Sequence, residues 1–221
     1  MTIDLGKTKV TLLAAHAAFL EKSSVLVVSD IHLGKSATFR SRGIPVPEGD
    51  SQADLENLSR LIQETNPSRL VIAGDLFHAK DGMSPHVLDV FREWLDGVTI
   101  PITLTEGNHD RMARLFEHPL PIETVPSYEI DGIRITHDPE ELPADQPGIA
   151  GHLHPGLRLP DGPRRSLRIP FFFLRHPHHL VLPAFSKFTG LNIMHPCDKD
   201  GIFIPNHLKV VQIASGAIRP G

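Results

Sequence analysis

The chain lacks the features that mark secreted and membrane proteins. It has a single cysteine, Cys197, which excludes an intramolecular disulfide. No apolar stretch approaches the roughly 20 residues that a membrane-spanning helix needs. The first residues also lack the basic segment followed by an apolar segment that is typical of a secretory signal. We therefore expect a cytoplasmic protein with no membrane contact.

An excess of basic residues is also missing. The chain has 22 Lys and Arg against 26 Asp and Glu, a formal net charge of -4. Such a chain is ordinarily a poor ligand for nucleic acid, because Lys and Arg supply most of the non-specific affinity for phosphate. However, two bound dications would add about +4 exactly where a substrate docks. No zinc finger, helix-turn-helix or aromatic RNP pattern occurs, so we do not expect sequence-specific reading of DNA.

The length and the hydrophobic pattern favour one α/β domain over residues 1–221, since 40% hydrophobic content can supply one substantial core. Helices are predicted at residues 51–65, with a capping box formed by Ser51 and Asp54, and at residues 85–97 behind Ser84. Short β-branched runs predict buried strands around them: residues 25–28, 70–73 and 100–104. Alternating strands and helices imply a parallel sheet, whose ligands bind beyond the carboxyl ends of the strands.

The C-terminal half has a different pattern, typical of antiparallel strands. Residues 128–135 predict a hairpin that turns at Asp131 and Gly132. Further strands are predicted within residues 168–185 and 208–213. Two segments rich in Pro and Gly predict loops: residues 43–49 and 155–163. Together the two halves predict a two-sheet mixed α/β sandwich.

Five short polar motifs lie at or near the ends of the hydrophobic runs. Each alone has an ordinary explanation as a turn or as surface histidines, but the ordered series does not. Its Asp, His and Asn side chains form the ligand set for two adjacent divalent cations, which predicts a hydrolase of phosphate esters. The motifs are Asp30-Ile31-His32, Gly74-Asp75, Gly107-Asn108-His109-Asp110, His137, and Gly151-His152-Leu153-His154.

This order of motifs resembles the signature of the calcineurin-like metallophosphoesterases. The resemblance implies a four-layer α/β/β/α sandwich and two metal ions that share Asp75 as a bridging ligand. One departure is Thr136, where many members have glycine before the single histidine; His118 is the nearest competitor of His137. The implied ligands are Asp30, His32, Asp75 and His154 for one ion, and Asp75, Asn108, His137 and His152 for the other.

The resemblance also implies how the residues work. Two cations clamp the phosphoryl oxygens and activate a water molecule. His109 is expected to protonate the leaving oxygen as general acid, with Asp110 or another acid orienting it. His78 is expected beside the scissile phosphate, with surface histidine as the alternative reading. Basic residues near the motifs are candidates for contacts with the DNA backbone: Lys35, Arg40, Arg42, Arg111, Arg114, Arg164, Arg165, Arg168 and Lys187.

Longer phrases of the sequence are similar to the ligase-associated DNA damage response endonuclease (PdeM) group. They are residues 29–35, 43–47, 74–78 and 182–190. The similarity implies an endonuclease acting in DNA repair on single-stranded or damaged DNA, with a DNA ligase and a helicase as partners. It also favours Mn²⁺, although the ligands accept Fe²⁺ or Zn²⁺. The alternatives are a small-molecule phosphatase or nucleotide phosphodiesterase, and a non-catalytic scaffold of the same fold.

Overall fold

The computed structural model describes residues 1–110, 120–162 and 165–214. The first of its sheets has seven strands in chain order, antiparallel from β1 to β4 and parallel from β4 to β7. The sequence did not predict its first three strands or its last. The strands are β1 (Thr2–Leu5), β2 (Thr8–Leu13), β3 (Ala17–Leu20), β4 (Val25–Val28), β5 (Arg69–Ala73), β6 (Ile102–Thr105) and β7 (Glu123–Val125).

In the described parts of the chain, three α-helices accompany this sheet: α1 (Lys35–Ser41), α2 (Asp50–Thr65) and α3 (Pro85–Gly97). Leu55 and Leu58 of α2 and Phe91 of α3 are buried in one cluster with Leu26 and Leu70 of the sheet. The predicted positions of α2 and α3 are thus confirmed to within a residue or two, whereas α1 was not predicted. The parallel order of β4, β5 and β6 is the one that alternating strands and helices require.

The start of α3 follows the prediction and the start of α2 does not. Ser84 caps α3 by accepting a hydrogen bond of 3.3 Å from the backbone N–H of Val87. Helix α2 begins after Gly49 without a side-chain cap, so the capping box is wrong. Ser51 instead accepts a hydrogen bond of 2.9 Å from the backbone N–H of Gly34. Asp54 is hydrogen-bonded to Ser186, so both side chains hold loops rather than their own helix.

The second sheet also has seven strands, in the order β17-β16-β13-β14-β10-β9-β8. The predicted hairpin is confirmed at β8 and β9, with positive φ at Asp131 and Gly132. Strands β9 and β10 are parallel neighbours. The strands are β8 (Tyr128–Ile130), β9 (Ile133–Ile135), β10 (Gly148–Ala150), β13 (Phe172–Arg175), β14 (His179–Val181), β16 (Gly201–Pro205) and β17 (Val210–Ile213).

The two sheets pack face to face, which confirms the two-sheet α/β sandwich. Val27 and Val71 of the first sheet are buried in one cluster with Ile135, Ile149 and Leu180 of the second. Because the side chains of a strand alternate between its faces, the other face of the first sheet is left for the helices. The domain boundary at residues 1–221 stays a prediction.

A third sheet covers the outer face of the second one. It contains β11 (Pro155–Pro160), β12 (Ser166–Pro170) and β15 (Asn192–Ile193). Leu157 of β11 packs there with Phe173 of β13. Over the residues that the structure describes, this small sheet is an addition to the two-sheet sandwich. The predicted loop at 155–163 is wrong because residues 155–160 form β11. Residues 43–49 are without regular structure, as predicted.

The topology places the carboxyl ends of five strands at one edge of the sandwich. Strands β4, β5 and β6 run parallel in the first sheet, and β9 and β10 run parallel in the second. Each of the five ends within three residues of one polar motif. None of the helices in the described parts of the chain is long and apolar enough to cross a bilayer.

Removal of the Phe91 side chain tests the packing of the helices on the first sheet. Phe91 is fully buried and contacts the rings of Phe77 and Trp94, with centroids 5.1 and 5.8 Å away. We expect Phe91→Ala to lower the free energy of unfolding by about 3–5 kcal/mol, measured by urea titration. The control Leu208→Ala, at a side chain that is 92% exposed, should change it by less than about 0.5 kcal/mol. Equal effects of the two changes would contradict the packing described here.

Candidate metal centre

The loops that follow β4 and β5 run side by side beyond the ends of their strands. The backbone N–H of Asp30 donates to the carbonyl of Gly74 at 3.1 Å, and that of His32 donates to the carbonyl of Asp75 at 2.9 Å. These bonds continue the parallel pairing of the two strands in irregular form. They bring the first two motifs of the sequence into direct contact.

The motifs of the second sheet reach this point through hydrogen bonds between the sheets. The backbone N–H of His152 donates to the carboxylate of Asp30, with 3.0 Å to Oδ2. Nδ1 of His137 lies 3.2 Å from the carbonyl oxygen of Ala73, at the end of β5. The side chains of Asp30 and His137 therefore connect the two sheets at the edge where the strands end.

The backbone at this edge is unusual for residues with a side chain. Asp30, His32, Asp75, His152 and His154 all have φ between 45° and 67°, in the left-handed region. Successive residues on a strand have negative φ, so the first and last motifs do not continue their strands. Each such residue costs on the order of 1–3 kcal/mol. The surrounding hydrogen bonds hold these residues in that conformation.

Two glycines of the motifs allow the sheets to approach. A Cβ atom on Gly74 would lie 2.2 Å from Nδ1 of His137, and one on Gly151 would lie 2.5 Å from Oδ2 of Asp30. Gly74 also has a φ of 78°, which glycine adopts without strain. The glycines of these motifs thus serve the close packing of the acidic and imidazole side chains.

The side chains meet in two groups that could each hold a cation. Asp30, His32 and His154 form one group, and Asp30, Asp75 and His137 form the other. Within each group the candidate ligand atoms all lie within 4.8 Å of one another. The carboxylate of Asp30 belongs to both groups. Oδ2 of Asp75 lies 3.5 Å from Nε2 of His137 in its own group and 3.9 Å from Nε2 of His32 in the other.

The contacts between imidazole rings indicate that the donor set suits cations. Nε2 of His32 faces Nε2 of His154 at 3.2 Å, and Nδ1 of His152 faces Nε2 of His137 at 3.0 Å. Burial lowers the pKa of His32 to about 2, against the pull of the Asp30 charge. Its ring is therefore neutral at pH 7, which is the form that binds a metal. Divalent ions fit both groups, since imidazole nitrogens and carboxylate oxygens converge in each.

The two carboxylates respond differently to their burial. Burial favours a raised pKa at Asp30, but a hydrogen bond from His154 and the charges of His154, His137 and His32 outweigh it, so the pKa of Asp30 is lowered. Burial also raises the pKa of Asp75, and the neighbouring His137 only partly opposes this rise. A cation beside Asp75 would stabilise its ionised form.

The third motif supplies one backbone contact and an open face. The backbone N–H of His109 donates to Oδ1 of Asp75 at 3.0 Å, which fixes this carboxylate. The side chain of Asn108, the expected amide ligand, is exposed in the same turn. Nε2 of His109 lies 3.9 Å from Oδ2 of Asp75, and this side chain is 44% exposed. Its ring stacks on that of His78, with centroids 5.2 Å apart.

The carboxylate of Asp110 holds backbone instead of a ring. It is buried and accepts hydrogen bonds from the N–H groups of Gly107 and Phe77, at 3.0 and 3.2 Å. Burial and the charge of Asp75 raise the pKa of Asp110 to about 6. These contacts describe a positioning residue that ties the third motif to the second, in place of the expected contact with His109.

The four residues expected to contact substrate differ in their surroundings. Lys35 is half-buried close to Asp30 and Asp75, whose charges act on its pKa against the lowering effect of burial. Arg42 is exposed and paired with Asp81 at 3.0 Å. Arg111 lies outside the described residues, as does the competitor His118. His78 is half-buried beside His32 and His109.

The segment around Phe185 and Ser186, which belongs to none of the five motifs, is hydrogen-bonded to the backbone of the first motif. The backbone N–H of Phe185 donates to the carbonyl of Ser29 at 2.8 Å, and that of Ser186 donates to the carbonyl of Asp30 at 3.5 Å. The sequence offered one signal for this segment, the group resemblance at residues 182–190. No spacing rule connects Ser186 with Asp54, because 132 residues separate them.

The family model for the calcineurin-like phosphoesterases matches residues 23–156, a span that contains all five motifs. The chain belongs to the calcineurin-like phosphoesterase family. It is accordingly a metal-dependent phosphoesterase. This family assignment agrees with the two donor groups, although it leaves the identity of the ions open.

Two solved structures show what this family member resembles. The nuclease MPE of Pseudomonas putida superposes with a TM-score of 0.78 at 28% identity, covering 96% of this chain and 99% of that one. YfcE, a phosphoesterase from E. coli, superposes with a TM-score of only 0.42 at 20% identity, covering 88% of this chain and 99% of that one. No curated protein sequence matches the chain.

Loss of the charge on Asp75 tests the metal centre. Asp75→Asn keeps the size of the side chain but weakens both donor groups, so we expect metal affinity to fall by at least about 100-fold. Metal content after dialysis, measured by mass spectrometry, and turnover of a diester should fall together. Asp96→Asn, at an exposed position on α3, is the control. Wild-type metal content in the Asp75 variant would contradict the bridging position.

Proposed function

We propose that this phosphoesterase is a binuclear enzyme that hydrolyses DNA phosphodiester bonds as an endonuclease. The observation that carries the proposal is the pair of donor groups that share Asp30, with Asp75 in one of them and exposed His109 beside it. The nuclease nature of the similar P. putida protein supports nucleic acid as substrate. We further propose Mn²⁺ as the ion, with Fe²⁺ or Zn²⁺ as alternatives, and a role in DNA repair beside a ligase and a helicase.

The proposed ligands are those of the motif series: Asp30, His32, Asp75, Asn108, His137, His152 and His154. Divalent ions held by these residues would neutralise charge on the phosphoryl oxygens and would activate water for attack. The chain itself fixes the ligands. Hydrogen bonds from backbone N–H groups hold the carboxylates of Asp30 and Asp75, so that little reorganisation is needed when charge develops in the transition state.

His109 is placed to give a proton to the leaving oxygen. We call the edge of the sandwich that carries the two donor groups the metal edge. The side chain of His109 projects from it toward solvent, with Nε2 near Asp75 and its ring against His78. Asp110 keeps the turn that carries His109 against the loop of Phe77. His78 and Lys35 then lie where they can contact a non-bridging oxygen of the scissile phosphate. General acid catalysis contributes about 10²–10⁴-fold to such a reaction.

The openness of the site favours a polymeric substrate over a small ester. Asn108 and His109 are exposed, so the backbone of a long strand can pass across the metal edge without entering a closed pocket. A small-molecule phosphatase or nucleotide phosphodiesterase would use the same ligands, and substrate size distinguishes the two functions.

Cleavage of closed circles provides the test of the proposed function. We expect the protein with Mn²⁺ to linearise circular single-stranded DNA, which offers no ends to an exonuclease, and to hydrolyse bis-p-nitrophenyl phosphate. Cleavage should weaken steeply as salt rises, because Lys and Arg contacts to phosphate are lost. If the circles stay intact while p-nitrophenyl phosphate is hydrolysed efficiently, the small-molecule alternative replaces the nuclease.

Removal of the His109 imidazole tests the proton donor. We expect His109→Ala to keep its metal content and to lose about 10²–10⁴-fold in kcat on DNA, whose alkoxide leaving group needs a proton. The loss on bis-p-nitrophenyl phosphate should be much smaller, since p-nitrophenolate leaves unprotonated. His86→Ala, at an exposed position on α3, is the control. Equal losses on the two substrates would argue against a proton donor.

A further inference from the structure

Helix α1 presents a stripe of alternating character next to the metal edge. Lys35, Phe39 and Arg42 follow one another at spacings of four and three residues, so they lie on one face of the helix. Neighbours at such spacings are about 5–6 Å apart at Cβ. The stripe therefore offers a cation, an aromatic ring and a second cation in a row.

An exposed aromatic ring stands on this stripe. Phe188 contacts Phe39 edge to face, with centroids 5.7 Å apart and an interplanar angle of 88°. It remains 38% exposed, and Ile44, whose backbone N–H donates to the carbonyl of Phe39, is 47% exposed. We call Phe39, Ile44 and Phe188 the aromatic platform. Exposed apolar surface of this kind, with charges around it, is typical of a binding site.

The aromatic platform and the stripe on α1 are both connected to the metal centre. Phe188 follows Ser186 by two residues, and the backbone N–H of Ser186 donates to the carbonyl of Asp30. Lys35, at the start of the stripe, lies where the charges of Asp30 and Asp75 act on it. The backbone N–H of Lys35 also donates to the carbonyl of His32 at 3.2 Å, which ties the start of the stripe to the first motif.

The charges around the platform suit a nucleic acid strand. Lys35 and Arg42 flank Phe39 on the helix, and exposed Lys187 precedes Phe188. The ion pair of Arg42 with Asp81 is exposed on both sides, so a phosphate can compete for the guanidinium at little cost. Cations that track a backbone beside a ring that takes a base are the combination by which proteins bind single strands.

We propose that Phe188, supported by Phe39, stacks on a base of single-stranded DNA whose scissile phosphate lies at the metal centre, while Lys35 and Arg42 hold the adjoining backbone. This inference rests on the proposed nuclease function and adds a determinant of its substrate. A base can lie on Phe188 only when its face is free, which a paired and stacked base of a duplex does not offer. The platform thus favours single strands over duplexes.

The experiment combines a change in the protein with a change in the DNA. Phe188→Ala and Phe188→Trp are compared with Val211→Ala, which removes an equally exposed apolar side chain, also 38%, from β17. Each is assayed on a single-stranded oligonucleotide, on a set of the same oligonucleotides with one abasic residue moved along the strand, and on bis-p-nitrophenyl phosphate.

We expect Phe188→Ala to lower kcat/KM on single-stranded DNA by about 10-fold or more, and Phe188→Trp to retain it, since stacking tolerates any aromatic face. Val211→Ala and turnover of the small diester should stay within about two-fold of wild type. One abasic position should reduce cleavage by the wild type but cause no further loss in Phe188→Ala, because the two changes remove the same contact.

Three results would overturn the proposal. Equal losses on DNA and on the small diester would assign Phe188 a structural role. Unchanged DNA cleavage by Phe188→Ala, with an active wild type, would remove the platform and leave the nuclease function standing. A wild type that turns over the small diester but cuts no DNA would remove the nuclease function and the platform with it.

Discussion

The carboxylate of Asp30 is the contact on which the site depends. It is fully buried between the two sheets, accepts a hydrogen bond from the backbone of His152, and lies 3.3 Å from Nε2 of His154. Burying an unpaired carboxylate would be costly, so these partners are needed for the fold as well as for metal binding. Without this side chain, the loop of His152 would lose its hydrogen bond to the loop that follows β4. The edge of the sandwich and the metal centre are therefore one structure.

The proposed metal ligands are held by backbone hydrogen bonds, whereas the side of the site proposed to meet substrate is exposed to solvent. The ligands lie on short loops fixed by backbone hydrogen bonds, and the side chains that face solvent belong to the third motif and to α1. Because binding residues gain precision from a rigid scaffold, this division suits chemistry on a large substrate. The net charge of the chain, -4, does not oppose it. Part of that negative charge belongs to Asp30 and Asp75, which bound cations would neutralise.

The sequence predicted four of the five strands that carry motifs, the two longer helices and the two-sheet sandwich, because hydrophobic period and turn residues are local signals. It did not predict β10, the strand before the last motif. It did not predict β1, β2 and β3, since their short runs lack an accompanying motif or helix. It also misassigned Ser51 and Asp54, whose pattern fits a capping box but whose partners are Gly34 and Ser186. Asp110 shows the same limit at the site, because its backbone partner Phe77 lies in another loop. Long-range partners decide such side chains, and spacing along the chain does not reveal them.

Five of the seven proposed metal ligands occupy backbone conformations that glycine or asparagine would adopt with less strain. Replacement of such a ligand by glycine removes the local strain, although at Asp30 it would also break the connection between the sheets. Selection for stability alone and selection for catalysis therefore favour different residues at these positions. A copy of this chain released from catalysis would be expected to drift toward glycine first at His152, whose ring contacts His137 on its own side of the site, whereas the rings of His32 and His154 meet across the two sheets.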